Sequence, residues 1–215
     1  MKEFRSSARL CLKNGERLLA DAEHLFDWNR YPSAFALAKL AQEEFAKCFI
    51  LKLASRGELK WTKAVHASLK HHVSKQLLSL ILDYLNPDTE EFLFMLKNNT
   101  LHLMPKKVAD AMNIYLGEIL AKWESRYWSD PLEYGDEARG IWKGGEDRLK
   151  QGAFYIEIAK DGRAINFPGR FRKKIAYQEI EKSKRYLGVL SGGRKDSRYK
   201  EISKIFRLMT DQLPS

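Results

Sequence analysis

The sequence predicts a mainly α protein, an up-and-down helical bundle, on three observations. Apolar residues recur at helical spacing over long stretches before residue 128. The breaks between those stretches are short and carry Asn, Pro or Gly. Period-two alternation is confined to one place near residue 160.

The elements follow in order. From Ser6 to about Asn29 the positions Leu10, Leu12, Leu18, Leu19, Ala22, Leu25 and Phe26 repeat at helical spacing, with Gly15 the one breaker inside. Asn29-Arg30-Tyr31-Pro32 supplies a turn, and Pro32 suits the first turn of a second helix that runs to about Ser55 before Arg56-Gly57. So short a connection makes the pair an antiparallel αα-hairpin. A third helix is predicted from about Lys60 to Tyr84, stopping at Asn86-Pro87-Asp88, and a short one over Thr89 to Lys97. After Pro105 a further helix is predicted through about Tyr127 on Val108, Ala111, Met112, Tyr115, Ile119 and Leu120. The pattern changes after Ser129-Asp130-Pro131. AFYIEIAKDGRAINFP, residues 153–168, alternates on both sides of Lys160-Asp161-Gly162 and predicts a small β-hairpin. A helix from about Arg170 to Leu187, a Gly192-Gly193 break and a last amphipathic helix through Leu208 complete the chain. The expected organisation is a bundle over 1–150, a hairpin excursion over 151–168, and basic helices over 169–215 packed on the bundle rather than forming a separate domain.

At 215 residues and 25.0 kDa the chain is large enough for a proper core, and its 44% hydrophobic and 31% charged residues suit a soluble globular protein. No apolar run reaches the roughly 18 residues that span a bilayer, and MKEFRSSARL lacks a signal-peptide core, so a cytoplasmic location away from membranes is expected. Cys11 and Cys48 are too few for a disulfide framework and sit in apolar helical patterns as inert thiols. The net charge of +10 is a property of the tail. Residues 169–215 hold 13 Lys/Arg against 5 Asp/Glu, a net +8. Arg170, Arg172, Lys173 and Lys174 are therefore the candidate contacts to a phosphate backbone.

The second helix poses the chemical question. Within LAKLAQEEFAKCFIL, residues 37–51, Glu44 falls on one stripe with Leu37, Ala41, Cys48 and Leu51, whereas Glu43 lies about 100° round and four residues before Lys47, the spacing of an intrahelical ion pair. A carboxylate on a core stripe needs a partner, because an unpaired buried charge costs several kcal/mol, on the order of a small domain's whole stability. The third helix offers one. In HASLKHHVSKQ the apolar face is Val65, Leu69, His72, Val73, Gln76, Leu77 and Leu80, with His72 inside it, Lys75 on its edge, and His66, Lys70 and His71 toward solvent. Glu44, Lys47, His72 and Lys75 are expected to meet, as a core network or as a site. The histidine spacings do not aim two imidazoles at one ion, and no metal or other cofactor is expected.

These residues carry a resemblance. Arg17 through Leu51, with RLLADAEHLF followed by RYPSAFALAKLAQEEFAK, resembles the helical hairpin of HEPN-domain proteins and more closely that of the AbiV family of bacterial abortive-infection proteins. HVSK, His72 to Lys75, is similar to that family's His-x-x-Lys step after its Glu-Glu-x-x-Lys helix, and RLKQGAFYIEI, Arg148 to Ile158, to its Arg-x-x-Gly-hydrophobic-Tyr segment. The resemblance implies phage defence and an all-α core that usually dimerises. It also implies kinship with metal-independent ribonucleases, in which an arginine followed four to six residues later by a histidine acts at a dimer interface. The pattern departs here. Arg17 and His24 have six residues between them but lie in the first helix, and Arg148, in the expected late position, is followed by Tyr155 rather than a histidine.

Two functions are consistent with these residues. In one, Glu44, Lys47, His72, Lys75 and Arg148 act on RNA, held by the basic tail, or on translation. In the other the protein binds without catalysis, docking a phage protein or the translation machinery through aromatic residues such as Trp123, Tyr127, Trp128, Tyr134 and Trp142, or serves as an antitoxin-like partner. A phage protein as activator and a homodimer are expected partners.

Overall fold

The computed structural model describes residues 1–100, 103–121, 135–165, 171–192 and 197–213. Helices α1 (Lys2–Asp27) and α2 (Tyr31–Ser55) form an antiparallel hairpin. Asn29 turns the chain with φ 57°, and Arg30 N–H closes back on Leu25 C=O at 2.8 Å. Gly15 does not break α1; it lets the two helices approach. A Cβ there would lie 2.7 Å from Cδ1 of the fully buried Phe45.

α2 is the central helix of the bundle, buried on most of its circumference from Ala34 to Ser55. The single third helix expected over 60–84 is two helices, α3 (Lys63–Ser68) and α4 (His72–Leu85). Thr62 caps α3 by accepting from Val65 N–H at 3.2 Å, and His71 adopts extended backbone, so that His72 becomes the first residue of a new helix. Asp88 likewise caps α5 (Thr89–Lys97), accepting from Glu91 N–H at 2.8 Å. Pro105 opens α6 (Lys106–Asn113), which passes into a π-helical segment, Ile114–Leu120, placing the fully buried Tyr115 hydroxyl 3.0 Å from Ser68 Oγ. The remainder of the helix expected to Tyr127 lies outside the described residues, as do Trp123, Tyr127, Trp128 and Tyr134.

Two short helices follow, α7 (Asp136–Trp142) and α8 (Gly145–Gly152), joined through Gly144 at φ 75°. α9 (Lys173–Ser191) packs on α2 and α1, and α10 (Ser197–Asp211) sends Phe206 into edge contact with Phe49, ring centroids 6.1 Å apart. The fold is all-helical; among the described residues the expected hairpin is reduced to one antiparallel bridge, Ile158 with Ala164, around the Gly162 turn. Ile156, Ile158 and Ile165 are exposed, so the alternation has no layer to pack against, and a lone hairpin in water gains little from pairing. No described helix is long and apolar enough to cross a membrane.

Candidate functional site

The carboxylate that the bundle buries is that of Glu43. Its side chain is 5% exposed and receives three groups from two other helices: Lys75 Nζ at 2.8 Å and His72 Nδ1 at 2.7 Å, both on Oε2, and Lys150 Nζ at 2.6 Å on Oε1. Lys150 also lies 2.9 Å from Asp147 Oδ1 and 3.0 Å from His72 Nδ1. Burial raises the Glu43 pKa, and the hydrogen bonds and charges of Lys150 and Lys75 more than offset it, leaving the group below the ordinary glutamate value.

Glu44 is elsewhere. It pairs with Lys47 one turn along α2 and faces α1, where its charge helps raise the pKa of the Cys11 thiol. The expected meeting of Glu44 and Lys47 with His72 and Lys75 is therefore corrected. The two glutamates exchange the roles that the stripe assigned them, because α2 is buried on nearly all sides and helical spacing does not say which neighbour lies behind which stripe.

Lys75 is buried on α4 as that helix turns its face to α2. His72 stands at the helix start rather than inside an apolar face, and its side chain is 46% exposed. Arg148 does not reach the cluster: it is exposed and donates to Lys143 C=O at 3.0 Å. Tyr155, which stands where a histidine would follow Arg148, is 69% exposed. Arg17 binds Asp21 and Asn14 at the surface rather than joining His24. At the start of α9, Arg172, Lys173 and Lys174 are exposed; Arg170 lies outside the described residues. Farther along α9, Lys182 and Arg185 both pair with Asp83, and Lys184 pairs with Glu181 and Glu23.

Lys150 and Asp147 were missed by reading Arg148 alone. Their i, i+3 spacing on one short helix was the available signal.

The imidazole Nδ1 stands between Glu43 Oε2 at 2.7 Å, which can accept a proton from it, and Lys150 Nζ at 3.0 Å, which can only donate; with Nδ1 protonated toward Glu43, Nε2 is the basic nitrogen. Nε2 has no hydrogen-bond partner among the described residues, and the ring is half open to solvent. An imidazole oriented by a carboxylate in this way can act as a general base. Glu43, His72 and Asp147 also bring one donor atom each within 4.8 Å of one another. The Lys75 and Lys150 ammonium groups already occupy the two Glu43 oxygens, and Lys150 also stands 2.9 Å from Asp147 Oδ1, so positive charge sits where a cation would bind and the set does not fit a resident metal ion.

The all-helical bundle is of the HEPN type. The family model HEPN_AbiV, described as AbiV, matches residues 3–188, and the chain belongs to the AbiV family. Membership points to abortive-infection defence against phage. Comparison with curated proteins and with solved structures returned no significant match.

Proposed function

We propose that the protein defends its host by acting on RNA, with the His72 imidazole as the proton-transfer group. The supporting observation is the Glu43–His72 contact, which holds Nδ1 in the bundle while Nε2 has no partner among the described residues and the ring is half open to solvent. In this reading Nε2 takes the proton of an RNA 2′-hydroxyl. The resulting oxygen attacks the adjacent phosphorus, the 5′-oxygen of the next nucleotide leaves as solvent water protonates it, and the imidazolium returns its proton to the hydroxide so formed, giving a cyclic phosphate and a free 5′-hydroxyl. Glu43 steadies the imidazolium formed on the way, and Lys75 and Lys150 hold Glu43 ionised. Exposed Arg148, Arg172, Lys173 and Lys174 serve the phosphate backbone. A homodimer, with a phage protein as the activating signal, completes the proposal.

The test is to incubate purified protein with labelled total RNA, with and without extract from infected cells. Fragments ending in cyclic phosphate support the reading, and their absence under both conditions overturns it.

One observation favours a second reading, non-catalytic docking onto a phage protein or the translation machinery. α5 presents Phe92, Leu93, Phe94 and Leu96 to solvent at 44% to 66% exposure, and exposed apolar side chains gathered in one place mark a protein contact. Loss of defence on Leu93→Asp, with His72→Ala harmless, would favour docking over cleavage.

A further inference from the structure

A recess of about 460 Å³ opens beside the His72 site, where the chain leaves α8. Small-ligand sites typically enclose roughly 300 to 1,000 Å³. Arg148, Gln151 and Gly152 line it from one face of the helix, at positions i, i+3 and i+4, and Tyr155 and Glu157 line it from the segment that follows. Gln151 ties it to the imidazole. Its Nε2 donates to Asp147 Oδ2 at 2.9 Å, and Asp147 Oδ1 stands 3.9 Å from His72 Nδ1.

The walls offer three different contacts. Tyr155 is 69% exposed; its ring meets Phe154 edge-on, centroids 6.3 Å apart, and keeps open surface on which a planar group can stack. Arg148 gives one N–H to Lys143 C=O at 3.0 Å, and its five-donor guanidinium pairs with no carboxylate among the described residues. Glu157 is exposed, and its carboxylate has no partner among the described residues. An aromatic face, a free cation and a free pair of acceptor oxygens are the complement of a nucleotide.

We propose, building on RNA as the substrate, that this recess holds the guanine base of the nucleotide next to the cleaved bond. The base stacks on Tyr155, its N1–H and N2–H donate to the Glu157 carboxylate, and Arg148 takes a phosphate. The carboxylate makes the selection. It offers two acceptors and no donor, and guanine is the one base of the four whose Watson–Crick edge presents two adjacent N–H groups. Adenine and cytosine set a ring acceptor beside their amino group, and uracil flanks its single N–H with carbonyls, so each turns a lone pair toward Glu157.

The full-length protein is titrated calorimetrically at low salt with the 3′-monophosphates of guanosine, inosine, adenosine, cytidine and uridine, none of which has a bond to cleave. Guanosine 3′-monophosphate is expected to saturate one site per chain and to bind roughly tenfold tighter than the adenosine, cytidine and uridine nucleotides, with inosine, which lacks the 2-amino group, between them. Glu157→Gln should erase that preference. Tyr155→Ala should weaken every nucleotide roughly tenfold, while Tyr155→Phe keeps wild-type affinity. Both side chains are exposed, so these variants keep the fold. No saturable binding, equal affinity for all the bases, or an unchanged guanine preference in Glu157→Gln would overturn the assignment. Guanosine binding by a protein that cuts no RNA supports the recess and overturns the cleavage reading, whereas cutting at every base with no guanosine preference in binding does the reverse.

Discussion

Glu43 Oε1 accepts a 2.6 Å hydrogen bond from Lys150 Nζ, joining the central helix of the bundle to α8 across 107 residues of chain. Its sequence neighbour Glu44 pairs with Lys47 within the same helix and faces Cys11 of α1, with no buried lysine depending on it among the described residues. The difference sets their energetic weights. Glu43→Gln removes the charge that two buried lysines share, and breaking such a pair from one side costs about 3 kcal/mol or more. Glu44→Gln should cost about 1 kcal/mol or less. Urea unfolding of the two variants measures both, and equal losses would contradict the placement.

Thiol reactivity reads the same exchange chemically. Cys48 is fully buried and its pKa is pushed up to about 12, so it should resist iodoacetamide at pH 8 in the native protein. Cys11 is raised first by burial and then by the Glu44 charge. Glu44→Gln should therefore alkylate faster than wild type at Cys11, and Glu43→Gln should not. Peptide mapping after timed labelling distinguishes them.

Acid stability follows from the carboxylates. Glu43 and Glu179 both titrate below their ordinary value of 4.5 in the folded protein, burial opposing the shift and lysines driving it. A depressed folded pKa contributes stability that is complete above the unfolded value and is lost as pH falls through the folded one. Stability should hold down to about pH 4.5 and then decline, and the decline should be shallower in Glu43→Gln. Thermal midpoints measured from pH 6 to pH 3 supply the check.

Gly15 tests the helix hairpin. Alanine there gains about 1 kcal/mol of helix propensity, but its Cβ would press into the Phe45 ring, which is enclosed on every side and cannot yield. Overpacking of this kind costs about 1 to 3 kcal/mol, so Gly15→Ala is expected to lower the thermal midpoint rather than raise it.

Much of the bundle was legible in the sequence because its helices begin and end at recognisable chemistry. The turn at Asn29, the Asp88 cap and the stop at Asn86-Pro87 are local signals, and the helices follow them. The break before His72 was not legible. Apolar spacing continues across Lys70-His71, and the interruption lies in His71 backbone that no side-chain pattern announces. The site was legible in its residue types but not in its partners. His72 and Lys75 do converge on an α2 glutamate, yet an all-round buried helix offers no solvent face from which to judge that Glu43 rather than Glu44 turns toward them. For Lys150 the i, i+3 spacing with Asp147 marks a charged pair, but its role on Glu43 depends on where α8 docks, which spacing does not give.

The most direct measurement pairs defence with folding in His72→Ala, reading phage plating efficiency in cells and the thermal midpoint of the purified protein. With its side chain half exposed, His72 contributes little packing, so the midpoint is expected to stay within about 4 °C of wild type while defence is lost. A folded His72→Ala protein that still protects its host would contradict a proton-transfer role for that imidazole.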